Sequence, residues 1–111
     1  MKENNKILYD YINGVLIAKN KRISFSYLEN EVMKILVTNK ENFVDRREIT
    51  SKVYGKDWTL YCDSNISVLI SRIRKKLDGI LQIDNKFGFG YKLRKFEQVE
   101  NIKQGEGIYE I

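Results

Sequence analysis

The sequence contains no histidine and only one cysteine, Cys62. Lacking histidine, the chain has neither the commonest metal ligand nor the usual proton shuttle at neutral pH. A lone cysteine excludes an internal disulfide and a cysteine-rich zinc site. Catalysis by a nucleophile and base, or by a resident metal, has no motif here from which to be assembled. Nor does any apolar run approach the roughly 20 residues of a membrane-spanning helix. Residues 1–11 show neither the apolar stretch nor the small-residue cleavage site of a secretory signal. These absences lead us to expect a cytoplasmic, non-enzymatic protein with no cofactor, no metal and no membrane partner.

What is present is a chain of 111 residues, 42% hydrophobic and 32% charged, which is the balance of a soluble globular domain. A domain of this length buries roughly two thirds of its unfolded surface and needs no cross-link to hold one core. The net charge of +5 hides an asymmetry. Residues 97–111 hold one Lys against four Glu, so residues 1–96 keep 19 basic and 11 acidic side chains, a net +8. A basic body points to a polyanionic partner. Nucleic acid comes ahead of membrane, because no Lys-rich amphipathic helix with an aromatic reverse face is present.

Residues 7–25 alternate β-favouring runs with turn signals: Ile7-Leu8-Tyr9, Asn13-Gly14, Val15-Leu16-Ile17, Lys19-Asn20 and Ile23-Ser24-Phe25. Asn-Gly between such runs is the strongest short hairpin signal, so a small antiparallel sheet is expected. At Ser26 the period changes. Leu28, Val32, Ile35, Leu36 and Asn39 recur at helical spacing, with Ser26 and Glu29 set as a capping box. After a polar turn at 39–42, Phe43-Val44 reads as an apolar staple. Asp45 caps a second helix with Ile49, Val53 and Tyr54 on its apolar side, ended by Gly55. Residues 56–62 read as a loop.

Asp63 or Ser64 caps a third helix over 64–77, stopped by Asp78-Gly79. Its Ile66, Leu69, Ile70, Ile73 and Leu77 fall within an arc of about 100° that must face the core. Two strands, 81–85 and 91–96, joined through Gly88-Phe89-Gly90, complete an α+β chain whose hairpin forms a wing. Residues 97–111 form an acidic tail with a flexible link at Gly105-Glu106-Gly107 before a short strand-forming segment. That segment is expected to fray, to pair with another chain, or to shield the basic body.

These patterns resemble the DNA-binding effector domain of OmpR/PhoB-type response regulators, shared by ToxR-like activators. The family's Leu-Thr-x-x-Glu at the opening of helix one stands here as Phe25-Ser26-Tyr27-Leu28-Glu29. Its Asn-x-x-x-Val-Val-Ser-Arg-x-x-Leu stands as Asn39 followed by Phe43-Val44-Asp45-Arg46-Arg47-Glu48-Ile49, and its Val-Trp-Gly as Val53-Tyr54-Gly55. The Ile-x-x-Leu-Arg-x-Lys-Leu of helix three is Ile70-Ser71-Arg72-Ile73-Arg74-Lys75-Lys76-Leu77, and the wing's Gly-x-Gly-Tyr-x-Leu is Gly88-Phe89-Gly90-Tyr91-Lys92-Leu93. The resemblance implies a winged helix-turn-helix domain over 1–96 that binds double-stranded DNA sequence-specifically. Helix 64–77 would enter the major groove and the wing 81–96 would lie on the backbone or minor groove. No phosphoacceptor receiver domain fits before the first strand, so control by phosphorylation within the chain is not expected.

Opposite the core arc of helix three lie Ser64, Ser67, Val68, Ser71, Arg72 and Lys75, flanked by Arg74 and Lys76. A capped basic face fits a major groove; the alternative is an ordinary solvated face. Arg72 and Arg74 are candidates for base edges or phosphates, and Lys75 and Lys76 for phosphates. Val68 is a candidate for a thymine methyl, or else a partly exposed filler. The family commonly carries an Arg and an acidic residue where Ser64 and Ser67 stand, and a wing Arg and Thr where Phe87 and Asn85 stand. Lys86 is then the cation left for a minor groove, and Tyr91 offers its hydroxyl to a phosphate, as the family's Tyr does. Gly88 and Gly90 serve turn geometry.

Arg46 is a candidate phosphate contact, its alternative an ion pair with Glu48 or Glu41. By resemblance, Trp58, Leu60 and Tyr61 are candidates for contact with RNA polymerase, core packing being the alternative for Trp58. Cys62 is either an inert small side chain or an oxidant-sensitive thiol at a helix start. Two functions compete. One is a transcription regulator, with two copies on adjacent half-sites; the other is a protein-interaction module whose DNA face has weakened.

Overall fold

The computed structural model describes residues 6–39, 42–60, 63–95 and 107–111, with the backbone alone at Asp63, Ser64, Tyr109 and Glu110. Glu41, Tyr61, Cys62, Phe96 and the segment 97–106 lie outside the described residues, and with them the expectations attached to Glu41, Tyr61 and Cys62. Lys19 (φ 52°) and Asn20 (φ 65°) both adopt the left-handed conformation and turn strand β2 (Val15–Ala18) directly into β3 (Lys21–Ser24). A two-residue loop of this hand matches the twist of the strands it joins. The connection at Asn13-Gly14 is looser. Strand β1 (Ile7–Asp10) reaches β2 through four residues, of which only Gly14 is left-handed (φ 67°). Asp10 organises that turn, its carboxylate accepting from Ile12 N (3.0 Å), Asn13 N (3.2 Å) and Asn13 Nδ2 (2.8 Å).

Helix α1 (Tyr27–Thr38) opens where Ser26 and Glu29 satisfy each other's backbone. Glu29 N donates to Ser26 Oγ (3.3 Å) and Ser26 N to Glu29 Oε1 (2.8 Å), the capping box the sequence predicts. Strand β4 (Val44–Asp45) leads straight into α2 (Arg46–Tyr54), whose first turn is capped by Asp45 Oδ1 accepting from Arg47 N (2.8 Å). Arg47 also pairs with Asp45 (3.2 Å), which balances a cation placed against the helix dipole. Where the sequence predicts a loop, Gly55–Leu60 wind as a 3-10 segment kinked at Asp57, a common way for the end of a helix to run on. Helix α3 (Asp63–Lys76) and the hairpin of β5 (Leu81–Lys86) and β6 (Gly90–Lys95) follow.

One core joins these layers. Val32, Met33 and Leu36 of α1, Ile49 of α2, Ile66, Ile70 and Ile73 of α3, Leu16 of β2 and Leu93 of β6 are sealed from solvent together. Each such aliphatic side chain is worth about 1.5–3 kcal/mol of burial. Val44 does more than staple a helix. It pairs with Tyr91, and Asp45 with Gly90, so β4 becomes the third strand of a sheet ordered β4-β6-β5. This presses backbone on backbone: a Cβ at Gly90 would lie 1.7 Å from the Val44 carbonyl oxygen. Gly90 is therefore a close-approach residue, and Gly88 (φ 77°) supplies the left-handed position of the turn.

The chain's last residues correct a further expectation. Strand β7 (Ile108–Glu110) pairs antiparallel with β1, Leu8 opposite Glu110 and Asp10 opposite Ile108. Tyr11 N donates to the Gly107 carbonyl (2.9 Å) and Ile111 N to that of Ile7 (2.7 Å), and the Ile111 side chain is buried. The segment is docked rather than frayed. It covers an edge of β1 that would otherwise carry unpaired backbone groups, and the sheet order is β3-β2-β1-β7.

The two wing glycines should respond differently to a methyl group. Gly90→Ala should cost about 3 kcal/mol by driving β4 off β6, and Gly88→Ala, open but left-handed, about 1 kcal/mol. Urea denaturation of the two variants checks the ranking.

Candidate nucleic-acid interface

Helix α3 sorts its residues by the helical period. Ile66, Leu69, Ile70 and Ile73 are buried, while Ser67, Val68, Ser71, Arg72 and Lys75 are exposed on the other side. Ser64 stands in the first turn. Val68 is 48% exposed, a branched apolar side chain on an otherwise polar face. Among the described residues no ion pair engages Arg72 or Lys75, so both charges face outward uncompensated.

The two residues expected on the flanks of this face, Arg74 and Lys76, are exposed and also bonded within the protein. Arg74 Nε (3.3 Å) and Nη2 (3.0 Å) both donate to the Ile83 carbonyl of β5, and its guanidinium lies 6.0 Å from the centre of the Tyr91 ring. Arg74 thus fastens α3 to both wing strands. Lys76 Nζ donates to Glu29 Oε1 (2.6 Å) and to the Ser24 carbonyl (2.8 Å), and lies 5.7 Å from the Phe25 ring. It is drawn inward by Glu29, which is 4% exposed and needs a counter-charge there. Burial pushes the Glu29 carboxyl up, but the hydrogen bonds from Lys76 and Ser26 and the charge of Lys76 outweigh it and hold the group below its ordinary value.

The wing contributes a second set of groups. The Tyr91 ring is buried beside Arg74. Its hydroxyl makes no hydrogen bond among the described residues, and none of their buried side-chain polar atoms lacks a partner, so this hydroxyl reaches solvent. Lys86 Nζ lies 5.4 Å from the Phe89 ring and 5.8 Å from Phe43, and Lys92 Nζ lies 4.8 Å from Phe43. The sequence reasoning does not single out Lys92, although alternation along β6 puts it on the face opposite Tyr91 and Leu93. Arg46 joins through its backbone: its N–H donates to the Phe89 carbonyl (2.9 Å), which sets the first residue of α2 beside the wing turn. Glu48, a partner considered for Arg46, pairs with Lys52 (3.1 Å).

Of the residues between α2 and α3, Leu60 is 80% exposed and Trp58 is half-buried. Among the described residues, no cluster of Cys, Asp or Glu is arranged to hold a metal, and no helix is long and apolar enough to cross a membrane.

An N-terminal antiparallel sheet, three helices, and a hairpin fastened beside the last of them define a winged helix-turn-helix domain. Residues 20–93 match the family described as "Transcriptional regulatory protein, C terminal". The chain belongs to this family, the OmpR/PhoB-type DNA-binding domain of transcription regulators. Solved structures share the fold. The DNA-binding domain of Bacillus subtilis CssR aligns with a TM-score of 0.64 and 25% identity, covering 71% of this chain and 89% of that one. The C-terminal domain of the nisin resistance regulator NsrR aligns at 0.68 and 23% identity, covering 86% and 98%. The Klebsiella pneumoniae RstA DNA-binding domain, in complex with the RstA box, aligns at 0.68 and 20% identity, covering 85% and 95%. No curated protein matches the sequence.

The Glu29–Lys76 pair gives stability a defined dependence on pH. Because the folded carboxyl lies below its ordinary value of 4.5, its contribution is complete above pH 4.5 and is lost as the pH falls through the folded value. The stability advantage of the wild type over Glu29→Gln should therefore shrink across that acidic window. At neutral pH, Lys76→Met should cost about 2–3 kcal/mol by leaving the carboxylate buried without its cation. Urea titrations at a series of pH values measure both effects.

Proposed function

We propose that this chain regulates transcription with the outward face of α3 in the major groove and the wing on the adjacent backbone or minor groove. The observation that carries this reading is the split of α3. Ser67, Val68, Ser71, Arg72 and Lys75 face outward, while Arg74 holds the wing alongside. A helix with its side chains fits the major groove, and uncompensated cations are what a phosphate backbone attracts. The DNA-bound RstA domain and an AdeR DNA-binding domain in complex with an intercistronic region support the reading by likeness of fold.

Roles divide by reach and chemistry. Arg72 suits a bidentate contact to guanine and Val68 a thymine methyl, while Ser67 and Ser71 make short hydrogen bonds to base edges or phosphates. Ser64 at the helix start, Lys75, Arg46, Lys86 and the Tyr91 hydroxyl hold phosphates. Arg74 and Lys76 act as positioning residues, one for the wing and one for the helix. In the same reading the protein is cytoplasmic, two copies occupy adjacent half-sites, and the exposed Leu60, with Trp58 and Tyr61, meets RNA polymerase.

Fluorescence anisotropy on duplexes recovered from a randomised pool tests this, with affinity followed over a salt series. Affinity should fall steeply with salt, and Arg72→Ala and Lys75→Ala should each reduce the slope by about 1 without moving the unfolding midpoint. Arg72→Ala should also relax preference at one base position by about 1–3 kcal/mol. Failure to bind any duplex at low salt, with binding to a protein partner retained, would replace this reading by an interaction module on the same fold.

A further inference from the structure

Phe87 is the most exposed of the large apolar side chains among the described residues, at 97%, and it stands at the tip of the wing. Its backbone is held on both sides. Lys86 pairs with Gly90 across the hairpin, Phe89 N donates to the Lys86 carbonyl (2.9 Å), and the Phe89 carbonyl accepts from Arg46 N (2.9 Å). A turn fixed in this way holds the Phe87 backbone at the tip and leaves the ring open to solvent.

Its surroundings are cationic. Lys86 precedes it and lies against the rings of Phe43 and Phe89, Lys92 lies against Phe43, and α2 begins with Arg46 beside the turn. Among the described residues, the acids paired across or beside the hairpin are bonded to arginines, Asp45 to Arg47 (3.2 Å) and Asp84 to Arg94 (2.7 Å). An apolar tip among cations fits a partner that offers anions on two sides and an apolar surface between them. In a duplex that surface is the base stack, reached through the minor groove by opening one base step.

We propose that Phe87 is a wedge: Lys86 and Lys92 settle on the phosphates that border a minor groove, and the Phe87 ring enters between adjacent base pairs and kinks the duplex. This rests on the DNA-binding reading above. A wedge selects sequence without hydrogen bonds, because a step costs least to open where it is pyrimidine followed by purine. Sites chosen by this protein should therefore carry such a step under the wing. Its distance from the bases read by α3 should be constant, because Arg74 joins α3 to β5. The ring is neutral, so it adds nothing to the release of counterions.

The full chain is tested on duplexes recovered from a randomised pool, with anisotropy over a salt series for affinity and end-to-end energy transfer for the bend. Phe87→Ala should leave the unfolding midpoint unchanged, weaken binding about tenfold, keep the salt slope, and straighten the DNA. Phe87→Leu should recover most of the bend, and exchanging the flexible step for a stiff one should erase the difference between wild type and Phe87→Ala. A duplex that is bound with the same affinity and bend by Phe87→Ala removes the wedge while leaving DNA binding intact. So does a loss confined to cooperativity between two bound copies, which would make Phe87 a protein contact. If the wild type binds no duplex at low salt, the DNA-binding reading falls and the wedge with it.

Discussion

A carboxylate shut away from solvent has to find its hydrogen bonds and its counter-charge inside the protein, and Glu29 finds them where three elements meet. It accepts from the Ser26 backbone at the start of α1 and takes the ammonium of Lys76 from the last turn of α3, and that ammonium also reaches the Ser24 carbonyl at the end of β3. Apolar burial supplies most of the driving force for folding but has no direction. The junction supplies direction, and breaking it strands a buried charge. Arg74 does the same on the other flank of the helix. At about 100° per residue, Arg74 and Lys76 leave α3 on opposite borders of its buried arc. One grips the wing and the other grips α1. Held on both borders, α3 cannot roll about its axis, so the residues between those borders stay outward.

This explains which parts of the molecule could be read from the chain alone. The buried arc of Ile66, Leu69, Ile70 and Ile73 and the capping box at Ser26 and Glu29 depend on residues a few positions apart, within the reach of a helical period. They stand where the sequence puts them. Arg74 and Lys76 look like the rest of a basic stretch, because a cation in a sequence does not declare its acceptor. Theirs are the Ile83 carbonyl and the carboxylate of Glu29, 47 positions away, and only folding brings either within reach. Similarly, β4 is two residues long and β7 three, too short for an alternating pattern, and both are strands only because β6 and β1 offer them an edge. The closeness of Gly90 to Val44 is a fact about that pairing.

The site consequently divides its cations into two populations. Among the described residues, Arg72 and Lys75 have no ion pair and face outward, while Arg74 and Lys76 are also bonded within the protein and help to aim the others. A count of positive charge would treat all four alike. On the proposed reading the first pair sets how strongly binding responds to salt, and the second sets whether the helix is presented at all. The wing repeats the division, with the Tyr91 ring anchored beneath Arg74 and Lys86 and Lys92 held by aromatic rings short of the tip.

The bond from Arg74 to the Ile83 carbonyl, added to the shared core, holds α3 and the wing together with a set opening between them. A hairpin on a loose hinge would adapt to whatever it met, as an adjustable jaw does. A gauge of set width instead passes the duplexes whose spacing between neighbouring grooves already suits it and makes every other duplex bear the deformation. On the proposed reading the domain measures a helix before it reads one, and an arginine bonded to a strand helps to set the width of the gauge.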